Sequence, residues 1–206
     1  GWDIPTYVHV PPVMKDEQHK LSKRNGDASF QDLVKKGYLP EAILNYIALL
    51  GWSPETEQEI YTLDELIKVF DIKRISKSPA IFDIDKLTWM NGMYLRAMSE
   101  EKFCELAKPY IEKTVHRPVD IRAVARILQP RCDVLTSIEE SLDFIDELPE
   151  YNIEMYIHKK MKTTYEIALK ALKASEQALS ELHDWSSEET IHDLLLSLPK
   201  QMEMKN

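Results

Sequence analysis

Apolar residues recur at helical spacing through most of the chain, in stretches that stop at glycine or proline. Between Pro40 and Gly51, for example, Ala42, Ile43 and Ile47 lie at short helical steps. Steps of three and four residues place such side chains on one face of a helix. The same spacing runs from residue 152 to 182, which predicts one long amphipathic helix. The pattern therefore predicts a mainly α fold.

Polar residues indicate where the helices begin. Thr62 precedes Glu65 at the spacing of a capping box, in which the hydroxyl accepts from the third helical amide and the carboxylate accepts from the cap amide. Two later pairs repeat this spacing: Ser137 with Glu140, and Ser186 with Glu189. Further helices are expected over residues 29–36, 40–50, 83–97, 99–107, 118–129, 137–147 and 186–198.

The first 25 residues follow a different pattern. Residues 7–10 alternate in polarity before Pro11 and Pro12, and residues 15–26 are polar. This segment is expected to be short and extended, ahead of a helical bundle or cage whose loops are short. Because the chain begins with Gly1 and has no initiator Met, we expect it to be a piece of a longer protein.

Composition indicates an ordinary globular protein. Of 206 residues, 44% are hydrophobic and 30% charged, and no run approaches the roughly 18 apolar residues of a membrane span. Disorder and membrane insertion are both disfavoured. The two cysteines, Cys104 and Cys132, are too few for a disulfide framework, so a reducing, cytoplasmic setting and buried structural thiols are expected.

Charge is distributed unevenly along the chain. The formal net charge of −9 would argue against a nucleic-acid partner, but residues 136–206 alone hold 15 acidic and 7 basic residues. From Lys113 to Arg131, five cations face one acid, Asp120, and Arg122 and Arg126 share a helix face. Such a stripe suits an RNA backbone. It is equally typical of a solvated helix face with ordinary salt bridges.

The usual catalytic signatures are missing, with no nucleophile elbow, zinc-protease motif, P-loop or dinucleotide fingerprint. The six histidines do not pair at metal-ligand spacing, so no metal site is expected. One short basic segment, residues 20–24, could close over a polyphosphate, and Lys23 is its best candidate. The alternative for this segment, taken alone, is a solvated basic loop.

Several motifs give this segment a context. Lys20-Leu21-Ser22-Lys23-Arg24 resembles the Lys-Met-Ser-Lys-Ser signature of class I aminoacyl-tRNA synthetases, in the form that glutamyl-tRNA synthetases use. Further motifs follow in the order expected for that bacterial-type family: Gly51-Trp52-Ser53-Pro54, Lys77-Ser78-Pro79-Ala80-Ile81-Phe82-Asp83, Trp89-Met90-Asn91-Gly92 and Gln129-Pro130-Arg131. The last replaces an Arg-Pro-Arg motif, and its Gln129 is expected to weaken one phosphate or base contact.

The resemblance implies roles for particular residues. Lys23 would be the catalytic residue that contacts ATP phosphates, in an ATP-binding loop with Lys20, Ser22 and Arg24. Arg131 would read an anticodon base. The remaining candidates for tRNA contact are those of the basic stripe: Arg117, Arg122 and Arg126.

The family also implies an architecture and partners. Residues 1–78 would be the end of the catalytic region with stem-contact helices, and residues 79–206 the first part of a helical anticodon-binding domain. The whole enzyme would use ATP with magnesium, glutamate and the tRNA for glutamate. This piece would bind RNA, hold no cofactor, act as a monomer and catalyse nothing alone.

Two alternatives remain open from the residues themselves. The chain could be a freestanding helical RNA-binding module, or a helical interaction protein without ligase activity or an RNA role. Three tryptophans are expected to pack in the core rather than to stack on bases: Trp52, Trp89 and Trp185.

Overall fold

The structure is a computed structural model that describes residues 3–5, 7–22, 29–148, 150–185 and 187–201, with the backbone alone at 200 and 201. Within these ranges the chain is mainly helical, as predicted. Two short strands are β1 (Val13–Met14) and β2 (Ala80–Ile81). The helices are α1 (Phe30–Lys35), α2 (Pro40–Gly51), α3 (Leu63–Val69), α4 (Ile84–Ala97), α5 (Glu100–Thr114), α6 (Ile121–Leu128), α7 (Ser137–Ser141), α8 (Tyr165–Ser180) and α9 (Glu188–Gln201).

The chain divides into two compact units, Gly1–Pro149 and Glu150–Asn206. In the second unit, α8 packs against α9. The functional division predicted between residues 78 and 79 lies inside the first unit, and it stays a prediction.

The predicted starts of α1, α3 and α4 are confirmed. Ser29 and Thr62 each form a capping box, with Asp32 and Glu65 respectively, and the Asp83 carboxylate accepts from the first amides of α4. α1 ends before Gly37, whose φ of +88° lies in the left-handed region where glycine carries no steric penalty.

The largest cluster of buried side chains lies among α2, α4, α5, α6 and α7. Its members include Ala42, Leu95, Phe103, Ile111, Ala125 and Ile138. A second cluster joins α2 to α4 through Ile43, Tyr46, Leu87 and Met90. The apolar side of α6 therefore faces the larger core, and its basic side faces outward.

β1 pairs in parallel with β2, which the sequence did not predict. The pairing joins Val13 to Ala80 and Met14 to Ile81, and the Phe82 amide donates to the Met14 carbonyl at 2.8 Å. Strands of two residues carry too little alternation to be recognised from sequence. The pairing ties the N-terminal segment to the start of α4.

The prediction of one helix over residues 152–182 is wrong. A 3-10 turn occupies Ile153–Tyr156, Lys162 has a φ of +56°, and α8 begins only after Thr164, whose side chain accepts from the Ile167 amide. A left-handed residue cannot continue a right-handed helix. The apolar spacing continues across this break because the spacing of apolar side chains carries no information about the backbone conformation of a single residue.

Several helix ends also differ from the predictions. α5 continues through Pro109 to Thr114, because proline removes only one helical hydrogen bond while Ile111 beyond it is buried in the core. α7 is short, and Ser137 is not its cap, since its hydroxyl donates to the Val134 carbonyl at 2.7 Å. α6 begins after Asp120, which caps it, and not at Pro118. Ser186 lies outside the described residues.

Candidate functional site

The start of the basic loop is placed by a tight turn beside β1. The Leu21 amide donates to the Val13 carbonyl at 3.0 Å, and Met14 and Lys20 form an antiparallel bridge. The Asp16 carboxylate accepts from the amides of the turn, and these bonds hold its pKa below its ordinary value. Lys20 is exposed at the end of this turn and Ser22 is half-buried, whereas Lys23 and Arg24 lie outside the described residues.

The basic side of α6 presents two exposed arginines. Arg122 and Arg126 are one helical turn apart and both are exposed, as their spacing predicted, whereas Ala125 of the same helix is buried. Neither guanidinium lies within 4.0 Å of a carboxylate among the described residues. No close ion pair there occupies either guanidinium, although Glu101 lies near enough to interact with the charge of Arg122.

Arg131 ends the 3-10 turn Gln129–Arg131 that follows α6. Its side chain is exposed and has no hydrogen bond or ion pair within the part of the chain that the structure describes. It borders a cavity of about 310 Å³. The cavity is otherwise lined by Ser141 and by six apolar residues: Val124, Ile127, Leu128, Leu142, Phe144 and Ile145. A planar cation thus stands at the edge of an apolar recess.

The other two cations of the stripe are engaged by the protein itself. Lys113 Nζ lies 2.8 Å from the Glu139 carboxylate, and Arg117 Nη1 donates to the Ile145 carbonyl at 3.0 Å. Asp146 accepts from the amides of His116 and Arg117, and its pKa is lowered mainly by the His116 amide bond. Arg117 is therefore a weaker candidate for a ligand contact than Arg122, Arg126 or Arg131.

Gln129 does not face solvent. Its side chain is 8% exposed, and Nε2 donates to the carbonyls of Leu95 and Met98 at 3.0 and 2.9 Å. These are carbonyls at the end of α4, which the helix itself leaves without partners. This side chain is used inside the protein, and the expectation that Gln129 weakens a phosphate or base contact stays a prediction.

Asn91 and Gly92 join three segments, which sequence reasoning missed. Asn91 Nδ2 donates to the Asp133 carbonyl at 2.6 Å, and the Leu39 amide donates to Asn91 Oδ1 at 2.8 Å. A Cβ on Gly92 would lie 2.1 Å from Asp133 Oδ1, which itself accepts from Arg96 Nη1 at 2.7 Å. The only sequence signal for these contacts was that Gly92 follows Asn91 in the Trp89–Gly92 motif.

The tryptophans divide between core and surface. Trp52 is 3% exposed and packs against Tyr61 and Phe70, so its expected role in the core is confirmed. Trp89 is 42% exposed, with Lys86 Nζ 4.3 Å from its ring centroid, and Trp185 is 57% exposed. The prediction for Trp89 was wrong because helical spacing alone does not distinguish a covered apolar face from an uncovered one. The prediction for Trp185 was wrong because this residue lies between α8 and α9 and not on a helix.

Cys132 is a structural thiol, as expected. Its side chain is 4% exposed, its Sγ donates to the Val134 carbonyl, and burial raises the pKa of the thiol to about 11. Cys104 is half-buried. In the described parts of the chain, no group of three His, Cys, Asp or Glu side chains could hold a metal ion. No helix there is long and apolar enough to span a bilayer.

Comparison with known proteins places this geometry in a family. The model of the anticodon binding domain matches residues 102–206, and that of the catalytic domain of class I tRNA synthetases (E and Q) matches residues 1–89. The chain therefore belongs to the anticodon binding domain family of the class I tRNA synthetases. Within that class its relatives are glutamate–tRNA ligases, which confirms the resemblance seen in the motifs.

The relatives are longer than this chain. Glutamate–tRNA ligases of Clostridium botulinum and Clostridium tetani are 55% and 52% identical to it over 206 residues. The chain spans about 42% of the length of the Clostridium botulinum relative. A crystal structure of a glutamate tRNA ligase from Elizabethkingia meningosepticum, in complex with its amino acid, superposes on 99% of this chain and 44% of its own, with a TM-score of 0.77 at 27% identity.

Proposed function

We propose that this chain is the tRNA-contacting part of a glutamate–tRNA ligase, an enzyme that activates glutamate with ATP and transfers it to the tRNA for glutamate. The observation that carries the proposal is the set of three exposed arginines, Arg122, Arg126 and Arg131, none of which lies within 4.0 Å of a carboxylate among the described residues. The family match and the relatives support the same reading.

Arg131 is proposed to read a base of the anticodon. Proteins read unpaired RNA by drawing a base out of its stack and bonding its edges, and a guanidinium offers a planar fork of donors for this purpose. The apolar recess beside Arg131 offers the face of Phe144, which is 58% exposed, for stacking. A purely solvated basic face would need no such recess.

Arg122 and Arg126 are proposed to contact phosphates. They lie on the helix that leads to Arg131, so a backbone that follows this helix would bring a base to the recess. Each phosphate neutralised releases counterions, with a slope in log affinity against log salt of about −0.7 to −0.9. Arg117 would contribute less, because the Ile145 carbonyl already occupies its guanidinium.

The basic loop is proposed to bind ATP phosphates in the whole ligase. Lys20 and Ser22 stand at its described end, and Lys23 and Arg24 would complete it. Magnesium would accompany ATP in that enzyme. Replacing Lys23 with alanine in the whole ligase should slow ATP–pyrophosphate exchange measured with tRNA present, and an unchanged exchange rate would contradict this role.

A cytoplasmic location and a monomeric chain belong to the same proposal. The buried thiol of Cys132 and the half-buried Cys104 are both unpaired, which suits a reducing compartment. Light scattering of the purified chain checks the second point, since a dimer would contradict it.

The central test is filter binding of tRNA to the 206-residue chain at two salt concentrations. Arg131→Ala should weaken binding to the glutamate tRNA by about 1–3 kcal/mol and reduce its preference over the same tRNA with an altered anticodon. Arg126→Ala should weaken the binding of both tRNAs to the same extent. It should also reduce the slope of log affinity against log salt by about one. Equal binding by the parent and Arg131→Ala would remove Arg131 from the site.

A matched control uses a cation that the protein already neutralises. The double variant Lys113→Met with Glu139→Gln removes an ion pair from the same stripe without changing net charge. It should leave tRNA affinity and salt slope close to those of the parent. A loss as large as that of Arg131→Ala would mean that the binding surface is general and not centred on the unpaired arginines.

A further inference from the structure

The turn that carries Arg131 is held by side chains on both sides of it. Before Arg131, Gln129 donates to two carbonyls at the end of α4. After it, Asp133 accepts from Arg96 of α4 and from Asn91 of the same helix. Arg131 itself has no partner among the described residues, so its direction depends on how the turn is anchored.

Asn91 also joins this turn to the residue that precedes α2. It is fully buried, and its two amide atoms have different partners: Oδ1 accepts from the Leu39 amide, and Nδ2 donates to the Asp133 carbonyl. Leu39 is the N-cap residue immediately before α2. An amide side chain can donate and accept at once, which an ionised carboxylate or an aliphatic side chain cannot.

A second set of bonds holds the same turn against the connection between α1 and α2. The Leu135 amide donates to the Gly37 carbonyl at 3.2 Å, and Thr136 Oγ1 donates to the Lys36 carbonyl at 2.8 Å. The connection from α1 to α2 thus bonds at two points to residues that follow Arg131. Residues 100 positions apart in sequence are joined directly.

We propose that Asn91 is a positioning residue for base reading by Arg131. Its amide fixes the turn at residues 129–133 relative to α2, and so fixes where the Arg131 guanidinium meets the tRNA. The proposal rests on the proposed function, because it requires Arg131 to contact a base. Asn91 itself is buried and touches no ligand.

The perturbation is Asn91→Asp, which keeps the shape and the acceptor for the Leu39 amide but removes the donor to Asp133 while the new carboxyl is ionised. A single misplaced hydrogen-bonding group should reduce the preference for the glutamate tRNA over the same tRNA with an altered anticodon by about five- to tenfold. The salt dependence should stay that of the parent, because no cation is removed.

The chain offers a matched control in Asn45. It is also fully buried, and its Oδ1 accepts from the Tyr61 amide and the Tyr94 hydroxyl, but it does not bond to the Arg131 turn. Asn45→Asp introduces the same buried carboxyl elsewhere in the same unit. Because Asn45 Nδ2 has no hydrogen-bond partner in the described part of the chain, this variant tests the buried carboxyl alone, and it should leave the preference for the glutamate tRNA unchanged.

A double-mutant cycle decides whether Asn91 acts through Arg131. In the Arg131→Ala background, Asn91→Asp should cause no further loss of preference for the glutamate tRNA. A general structural effect of Asn91→Asp would instead reduce that preference equally with and without Arg131. In the whole ligase, Asn91→Asp should raise KM for tRNA without changing KM for glutamate or ATP. If Asn91→Asp does not fold, Asn91→Ser, which removes the bond from Nδ2 to the Asp133 carbonyl without burying a charge, replaces it in the cycle.

The outcomes separate this inference from the proposed function. Loss of preference in Arg131→Ala together with an unaffected Asn91→Asp, or additive losses, would overturn the positioning role and leave the function standing. An unchanged preference in Arg131→Ala would overturn both. Loss in each single variant with no further loss in the double variant supports both.

Discussion

Gly37 offers the sharpest test of the packing that supports Arg131. Its φ of +88° is a conformation that residues with a Cβ adopt at a cost of about 1–2 kcal/mol. A Cβ at this position would lie 2.8 Å from the Thr136 nitrogen and 2.9 Å from the Leu135 nitrogen. Both are backbone atoms, so they cannot move aside as the end of a flexible side chain can.

These two costs set the magnitude for Gly37→Ala. Forcing an extra methyl into a packed site costs about 1–3 kcal/mol, and the reduced entropy of the unfolded chain returns about 0.4–1 kcal/mol. We expect a loss of about 2–4 kcal/mol in the free energy of unfolding, with a weakened bond from the Leu135 amide to the Gly37 carbonyl. The same displacement should reduce the preference for the glutamate tRNA.

The assay is urea unfolding followed by tryptophan fluorescence, to which Trp52, buried in the same compact unit, contributes. The matched control is Gly51→Ala: no atom lies within 4 Å of a Cβ there, and its φ is not in the left-handed region. Because Gly51 ends α2, alanine should be neutral or stabilising by up to about 1 kcal/mol. If both variants unfold at the same urea concentration, the close approach inferred at Gly37 is wrong.

Two further predictions concern titratable groups. Because burial raises the pKa of Cys132 to about 11, iodoacetamide at pH 8 should label Cys104 well before Cys132, as followed by mass spectrometry. In urea the two thiols should be labelled at similar rates, and early labelling of Cys132 in the folded protein would contradict its burial. The bonds from Thr62 lower the pKa of Glu65, so its contribution to stability is complete above its ordinary pKa and is lost as the pH falls through the lowered value. Glu65→Gln should therefore flatten the loss of unfolding free energy below about pH 4, and identical acid profiles would refute this.

Local features of the fold could be predicted from the sequence where the interacting residues are close together in the chain. The capping box of Thr62 with Glu65 and the helix stop at Gly37 involve residues within one or two turns, and both were predicted. The break near Lys162 was missed because one residue with positive φ leaves the apolar spacing intact. β1 and β2 were missed because their partners are distant along the chain.

The candidate site was predicted in composition but not in detail. The spacing of Arg122 and Arg126 placed them on one helix face, and the motif singled out Arg131. Sequence could not tell that Lys113 is paired with Glu139, or that Gln129 turns inward. Asn91 received no role, since nothing local marks a side chain that bonds to two distant backbone segments.

The sequence by itself determined where most helices begin, which faces are apolar and where cations concentrate, because caps and helical spacing act over a few residues. Only the tertiary structure decided which of those cations stay available. The partners of Lys113 and Arg96 lie 26 and 37 residues away, and packing of the helices alone brings them within reach. The exposure of Arg131 and the anchoring of its turn by Asn91 follow from that packing, since hydrogen bonds between distant segments form only once the core has fixed their separation.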